Sequence, residues 1–484
     1  MKILIAASEA APLAKTGGLG DVVGALPSAL QELGCQVSVA IPAYRTALKK
    51  VGAAHVAVKK VPVRLGTKDV HADILEGEIS DGIPVYLVRR DEFFDRAGIY
   101  GTEDGDYFDS LERFIFFSRS IPSLCSGLDY HPEVIVGNDW QTGLLMALVQ
   151  EGDFPGAAGV FAIHNLGYQG LVPPEEISLI GLPQQYYRME GLEYYGQMSL
   201  LKAGIVYGHA VTTVSPSYAE EIQTVEFGCG LDGLLRSVKD KLYGILNGID
   251  KKEWDPESDV HLPAHYSRKN LSGKVQCKAA LLREMGLSMS LRSRPLLGMV
   301  SRLVSQKGCD LLLEAAKQLF TLDVGLVVLG SGETAYEQAL SELEEAHRER
   351  FRFINGFDEP LAHRIYGGSD VILVPSRYEP CGLAQLYGLR YGSVPLVRAT
   401  GGLKDTVRDF NEDRSSATGY TFQPFTSRAF FDAVEQAVAL YPDRPRWRAM
   451  MREGMGQDFS WRKSAEQYLT VFEKALESQR NNGR

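Results

Sequence analysis

The chain has no apolar run approaching the ~18 residues that a membrane span requires, which excludes an integral membrane helix. Its six cysteines (Cys35, Cys125, Cys229, Cys277, Cys309 and Cys381) never form a Cys-x-x-Cys pair. That excludes a disulfide frame or thiolate zinc site and points to free thiols in a reducing compartment. Positive charge is in deficit: 51 Lys and Arg face 61 Asp and Glu, a net charge of −10. A nucleic-acid backbone or an anionic membrane would be repelled, so neither is expected as a partner. No G-x-x-x-x-G-K-[ST] loop occurs, and the histidines lack ligand spacing, so neither a Walker nucleotide site nor a metal site is expected. The opening apolar stretch ends at Ser8-Glu9, too short for a signal-peptide core and without a cleavage site. These absences describe a cytoplasmic protein that needs no cofactor.

What remains has the composition of a globular chain, 45% hydrophobic and 23% charged, so disorder is excluded. At 484 residues it exceeds the ~250–300 at which a single core stops growing. Short β-rich apolar runs alternate with amphipathic stretches, the pattern of parallel sheets built from βαβ units. In the first half strands are expected at 3–7, 36–41, 84–88, 134–136, 159–163 and 210–214, with helices at 22–33, 109–120 and 141–150. Polar, Pro-containing sequence from 247 to 265 interrupts the series. A second series follows, with strands at 296–300, 325–329, 351–354, 371–374, 394–397 and 420–422 and helices at 310–320, 336–350, 361–366 and 384–391. After Ser460, an apolar stripe from Trp461 to Leu476 predicts a helix that docks on another element, followed by a frayed polar tail from 478. The expected fold is α/β: two doubly wound, Rossmann-like domains facing each other across a deep cleft. The first spans 1–244, with the helix of 457–484 returning to it, and the second spans 245–456. Such folds bind ligands at the carboxyl ends of their strands.

The chemically suggestive segments fall at those ends. Lys15-Thr16-Gly17-Gly18-Leu19-Gly20-Asp21 lies between the first strand and first helix, where glycines, a helix N-terminus and Lys15 suit an anionic group. A turn that serves only helix packing is the plainer alternative. The segment loosely matches a dinucleotide fingerprint, but the second strand ends in Pro42-Ala43-Tyr44 with no ribose-binding carboxylate, which argues against a dehydrogenase. In the second half Arg302 and Lys307 flank a loop in the equivalent place and suit a diphosphate, although two solvated loop cations would read the same way. Glu379 sits after a strand and before a Gly-containing helix start, fit either for sugar hydroxyls or a developing positive charge, or as a helix-start charge. Thr400-Gly401-Gly402-Leu403 follows the next strand as an anion nest of backbone N–H groups. Phe357 is placed to stack on a base or to fill core. His164, with Asn165, Tyr168 and Gln169, and Asp139 beside Asn138, Trp140 and Gln141, suit hydroxyl recognition. Each of these residues has a structural reading as well. Asp104-Gly105-Asp106, a D-x-D, reads as loop.

Together these pieces resemble the bacterial glycogen synthase and plant starch synthase family, retaining glycosyltransferases of the two-Rossmann GT-B type. The resemblance covers nearly the whole chain and rests on ordered blocks: 15–21, 138–142, 164–170, 189–204 (MEGLEYYGQMSLLKAG), 247–250, 302–308, 379–391 and 400–403. It implies transfer of α-glucose from ADP-glucose to the non-reducing end of an α-1,4-glucan such as glycogen. By carry-over, Lys15 and Gly18 would contact donor phosphate or sugar, and Arg302 and Lys307 the diphosphate. Glu379, His164 and Asp139 would line the glucose pocket, with Asp21 and Asn247 nearby and Phe357 stacking on the base. Thr400 to Leu403 would join the donor site. One departure stands out: many members of the wider retaining class carry a second Glu eight positions after the first, where this chain has Tyr387. Cations and helix N-termini would stabilise the departing diphosphate in place of a metal ion. No second carboxylate suggests a covalent intermediate, so same-face attack is expected rather than two-carboxylate glycosidase chemistry. A UDP-sugar transferase of the same fold and an inactive glycan-binding protein are the alternatives.

Overall fold

The computed structural model describes residues 1–102 and 105–482. It separates into two compact units, one of Met1–Gly248 with Trp461–Arg484, the other of Ile249–Ser460. The division falls at 248 and 460, where the sequence pattern places it at 244 and 456. Local packing explains the shift. Gly248 lies against the backbone of Trp461, whereas Ile249 bridges to Ser460.

The first unit is built on a nine-stranded sheet. From one edge its strands are Leu242–Gly244, Ala210–Thr213, Ala158–Ile163, Val134–Asn138, Lys2–Ala6, Gln36–Pro42, Ile83–Arg89, Lys68–Ile79 and His55–Leu65. The first seven are parallel and the last two antiparallel. The central strands Lys2–Ala6, Val134–Asn138 and Ala158–Ile163 are buried nearly end to end, as a sheet covered on both faces requires. The sequence pattern shows six of the parallel strands but neither Leu242–Gly244 nor the antiparallel pair. His55–Leu65 is an edge strand, half exposed and carrying Lys59, Lys60, Pro62 and Arg64. Those residues guard an edge against further pairing and, for the same reason, blur the strand signal. The C-terminal helix, Trp461–Asn482, packs on the helix Gly18–Glu32 and the strand Ala158–Ile163. It continues helically through 478–482, where a frayed tail is expected from the sequence.

The second unit has a six-stranded, all-parallel sheet in the order Phe351–Asn355, Gly325–Gly330, Leu296–Val300, Val371–Val374, Val394–Arg398 and Tyr420–Phe422. In chain order this is 3-2-1-4-5-6, the doubly wound arrangement. Strand alternation feeds two cores: Leu297 and Met299 point to the one with Leu312, Phe430 and Trp447, and Leu296 to the one with Leu281, Ile365 and Tyr391. In both units the strand order reverses beside the first strand: between Lys2–Ala6 and Val134–Asn138, and between Leu296–Val300 and Val371–Val374. Open α/β sheets bind ligands at the carboxyl ends of the strands beside such a reversal.

Candidate active site

At the first unit's reversal point, Asn138 ends one central strand and reaches across to the other. Its Nδ2 donates to the Ala6 carbonyl at 3.0 Å. That orientation turns Oδ1 toward His164 Nε2 at 2.9 Å, so the imidazole carries its proton on Nε2 and keeps Nδ1 as an acceptor. Loss of water lowers the His164 pKa to about 4, and the ring is neutral at pH 7. Asp139 begins the helix Trp140–Glu151 with φ 54° and ψ −174°, a left-handed backbone that a non-glycine residue adopts only at a cost of roughly 1–3 kcal/mol. The twist carries its Oδ1 to the His164 amide at 2.7 Å and the Asn165 amide at 3.3 Å. Burial raises the Asp139 carboxyl to about 7; the two amides pull it down and Glu9 reinforces the rise. The pair therefore offers a poised acid beside a neutral imidazole, a set suited to hydroxyl groups.

Glu9 is the residue that sequence reasoning missed. Only 3% exposed, it accepts from the Thr16 amide (2.6 Å) and hydroxyl (2.7 Å), the Gly17 amide (3.2 Å) and the Tyr100 hydroxyl (2.6 Å). It thereby ties the glycine-rich turn to the end of the first strand. Its place just after that strand was the available signal. The glycines of the turn divide their work. A Cβ at Gly17 or Gly18 would meet open space, whereas one at Gly24 would lie 2.7 Å from the Ala11 carbonyl. Gly24 serves helix packing, and Gly17 and Gly18 leave an open face. Lys15 forms an ion pair with Asp21 at 2.6 Å, so its charge is partly balanced within its own loop. Asn247 is buried, and its Oδ1 has no hydrogen-bond partner among the described residues.

The second unit brings together residues that lie far apart in sequence. Lys307 Nζ sits 2.6 Å from Glu379 Oε2, which also accepts from the Ser376 hydroxyl at 2.9 Å. Glu379 is 6% exposed, so its charge is held by direct partners rather than by water. The two loops are joined by backbone: Arg377 N–H donates to the Gln306 carbonyl at 2.8 Å. Gly308 has φ 75°, and a Cβ there would lie 2.2 Å from the Pro375 carbonyl. Only glycine permits both the left-handed turn and that approach. Arg302 is exposed, and its guanidinium has no ion pair or hydrogen bond among the described residues. Phe357, 84% exposed just past the strand Phe351–Asn355, is not core.

The turn Thr400–Leu403 corrects the sequence reading. Its amides do not all form an open nest: Gly402 N–H donates to the Glu379 and Pro380 carbonyls (3.1 and 3.2 Å), and Leu403 N–H to Thr400. Gly401, at φ 45°, lies where a Cβ would be 2.1 Å from the Glu379 carbonyl. These two glycines hold the backbone of Glu379 in place. Tyr387 is stacked on Trp254 at 3.8 Å and so takes part in packing. Trp140 packs edge-on against Phe114 and lies over Gly170. In the D-x-D, Asp104 lies outside the described residues, and Asp106 belongs to a short two-stranded ribbon.

Comparison with known proteins follows the same division. Residues 2–237 match the family model for the starch synthase catalytic domain, and residues 290–453 that for glycosyl transferases group 1. The glycogen synthase of Desulfatibacillum aliphaticivorans is 48% identical over 482 residues, covering 99% of this chain and all of that one. Glycogen synthase 2 of Geobacter sulfurreducens is 44% identical, covering 99% of this chain and 100% of that one. Among solved structures, the catalytic domain of starch synthase IV from Arabidopsis thaliana, bound to ADP and acarbose, superposes with a TM-score of 0.91 at 34% identity. That match covers 98% of this chain and 99% of the other.

Proposed function

The chain belongs to the bacterial glycogen synthase and plant starch synthase family of glycosyltransferases, and from that premise we propose that it moves α-glucose from ADP-glucose to the non-reducing end of an α-1,4-glucan with retention. The observation that carries this reading is the Lys307–Glu379 pair at the second unit's strand reversal, with exposed Arg302 on the same loop. The ADP and acarbose bound to the Arabidopsis relative support the choice of donor and of acceptor class.

The work divides by unit. In the second, Lys307 and Arg302 take the diphosphate, and the charge that builds on it as the glycosidic bond breaks is met by fixed cations. Glu379 holds Lys307 in position and presents its carboxylate to the sugar. Phe357 stacks on the base. In the first, neutral His164, Asp139 and Asn247 receive sugar hydroxyls, and the open face at Gly17 and Gly18 lets backbone approach the donor, with Lys15 and Asp21 alongside. Asp139 Oδ1 and Glu379 Oε2 are both held by internal partners, which supports same-face attack over a covalent glucosyl intermediate. A leaving group as stable as a diphosphate needs no strong general acid. The setting proposed is the cytoplasm; among the described residues no helix is long and apolar enough to cross a membrane.

The test is a donor panel. ADP-glucose and UDP-glucose, radiolabelled in glucose, are each incubated with glycogen and label in polymer is followed. Incorporation from ADP-glucose at least tenfold faster than from UDP-glucose is expected. Equal or reversed rates would replace the donor assignment, and glucan binding without nucleotide release would replace the enzymatic one.

A further inference from the structure

Away from the residues assigned above, the second unit gathers Glu253, Glu359 and His363, with one donor atom from each lying within 4.8 Å of the others. Glu359 and His363 stand one turn apart on the helix Glu359–Gly368 and so share a face. Glu253 arrives from the stretch that opens the unit, and its distance in sequence is why no ligand spacing is visible there.

The histidine is held as a metal ligand is held. It is 1% exposed, and its Nδ1 lies 2.7 Å from Asp259 Oδ2, which also accepts from the Tyr391 hydroxyl at 2.5 Å. Trp254 stacks on the ring at 3.7 Å and 11° and fixes its plane. The other oxygen of Asp259, Oδ1, accepts from the His261 amide at 2.8 Å. With both of its oxygens accepting, Asp259 receives the Nδ1 proton of the imidazole. Nε2 is left with its lone pair and no protein partner among the described residues. Metal-binding histidines are oriented in this way, with a carboxylate accepting from the nitrogen that does not bind the ion.

We propose that Glu253, Glu359 and His363 Nε2 bind a divalent cation of the zinc class, with Asp259 as the orienting group behind the histidine. One imidazole and two carboxylates form a borderline donor set that suits Zn²⁺, with Mn²⁺ next and the oxygen-seeking Mg²⁺ and Ca²⁺ behind. Three protein ligands leave a fourth position for water. The ion joins the segment after Ile249 to the start of a helix on the sheet, a structural role independent of the transferase reading.

The test uses the full-length protein, stripped with EDTA and dialysed. Calorimetric titration with ZnCl₂ should show one site per chain with a Kd in the micromolar range or below, and Zn²⁺ should raise the melting temperature. Glu253→Gln, at an exposed position, and Glu359→Gln, at a half-buried one, should each weaken binding tenfold or more, and the double variant should lose the melting shift while keeping its fold by circular dichroism. Cys229→Ser, which removes the exposed thiol, should bind as the wild type does. No stoichiometric site in the wild type, or a site that survives in the double variant or vanishes with Cys229, would overturn the proposal.

Discussion

At its strand reversal the first unit sets a neutral imidazole, a carboxyl raised by burial and an ion pair closed within its own loop. At the same topological point the second unit sets an exposed guanidinium and an ammonium whose carboxylate partner is buried. One architecture thus carries two chemistries. The difference lies in how each unit treats water. The first removes it, which disfavours charge and leaves groups that exchange hydrogen bonds with hydroxyls. The second keeps its cations near solvent, Lys307 fixed by its pairing with Glu379 and Arg302 exposed, an arrangement that the proposed reading assigns to an incoming anion.

The comparison breaks most readily at Lys307. Lys307→Ala should lower kcat by about 10²–10³-fold, or ~2.7–4 kcal/mol, the loss seen when one donor to a developing anion is removed. Steady-state kinetics with donor saturating would measure it, and wild-type turnover would end the diphosphate role of this unit. The first unit is sharpened by its opposed titrations. The Asp139 carboxyl, raised from 3.8 to about 7, favours the folded state while protonated, so its contribution falls as pH rises through that window. His164, lowered from 6.5 to about 4, stays neutral when folded, so its contribution rises with pH between those values. In the wild type the two slopes nearly offset from about pH 4 to 6.5. Asp139→Asn should therefore make stability climb with pH across that range, and His164→Gln should make it fall, each by up to ~1 kcal/mol per pH unit. Urea unfolding at pH 4.5, 5.5 and 6.5 decides; parallel profiles in all three proteins would show that neither group is desolvated as described. The smallest effect is expected at Phe357. Phe357→Ala should raise the donor KM about fivefold, near the ~1 kcal/mol lower end of base–aromatic stacking, with kcat little changed. An unaltered KM would remove the base from that surface.

Much of the second unit was legible because its strands are short, apolar and separated by strong helical periods: Leu296–Val300, Val371–Val374 and Tyr420–Phe422 coincide with their sequence expectations. The first unit was less so. Its edge strands carry charge and proline, and the helix Leu200–Tyr207 shows no polar face because the close approach at Gly143, where a Cβ would lie 2.0 Å from the Leu200 carbonyl, helps bury most of it, Lys202 included. Among candidate site residues, those beside a glycine or at a strand end were visible as positions, but their partners were not. Glu9 looked like the end of an apolar run. The glycines at 401 and 402 looked like an anion nest, yet they hold the backbone of Glu379.

Local order was already written in the chain: two series of buried strands, with the reactive residue types at their carboxyl ends, and a family likeness spread over both. What the chain could not specify was neighbourhood, because parallel buried strands are all apolar and nothing in their pattern says which lies beside which. Only the order 3-2-1-4 placed the strand Leu296–Val300 beside Val371–Val374, and so Lys307 against Glu379. Only the matching order in the first unit set Asn138 between Ala6 and His164. Charge state followed from that placement, since desolvation is a property of what surrounds a side chain rather than of the side chain itself.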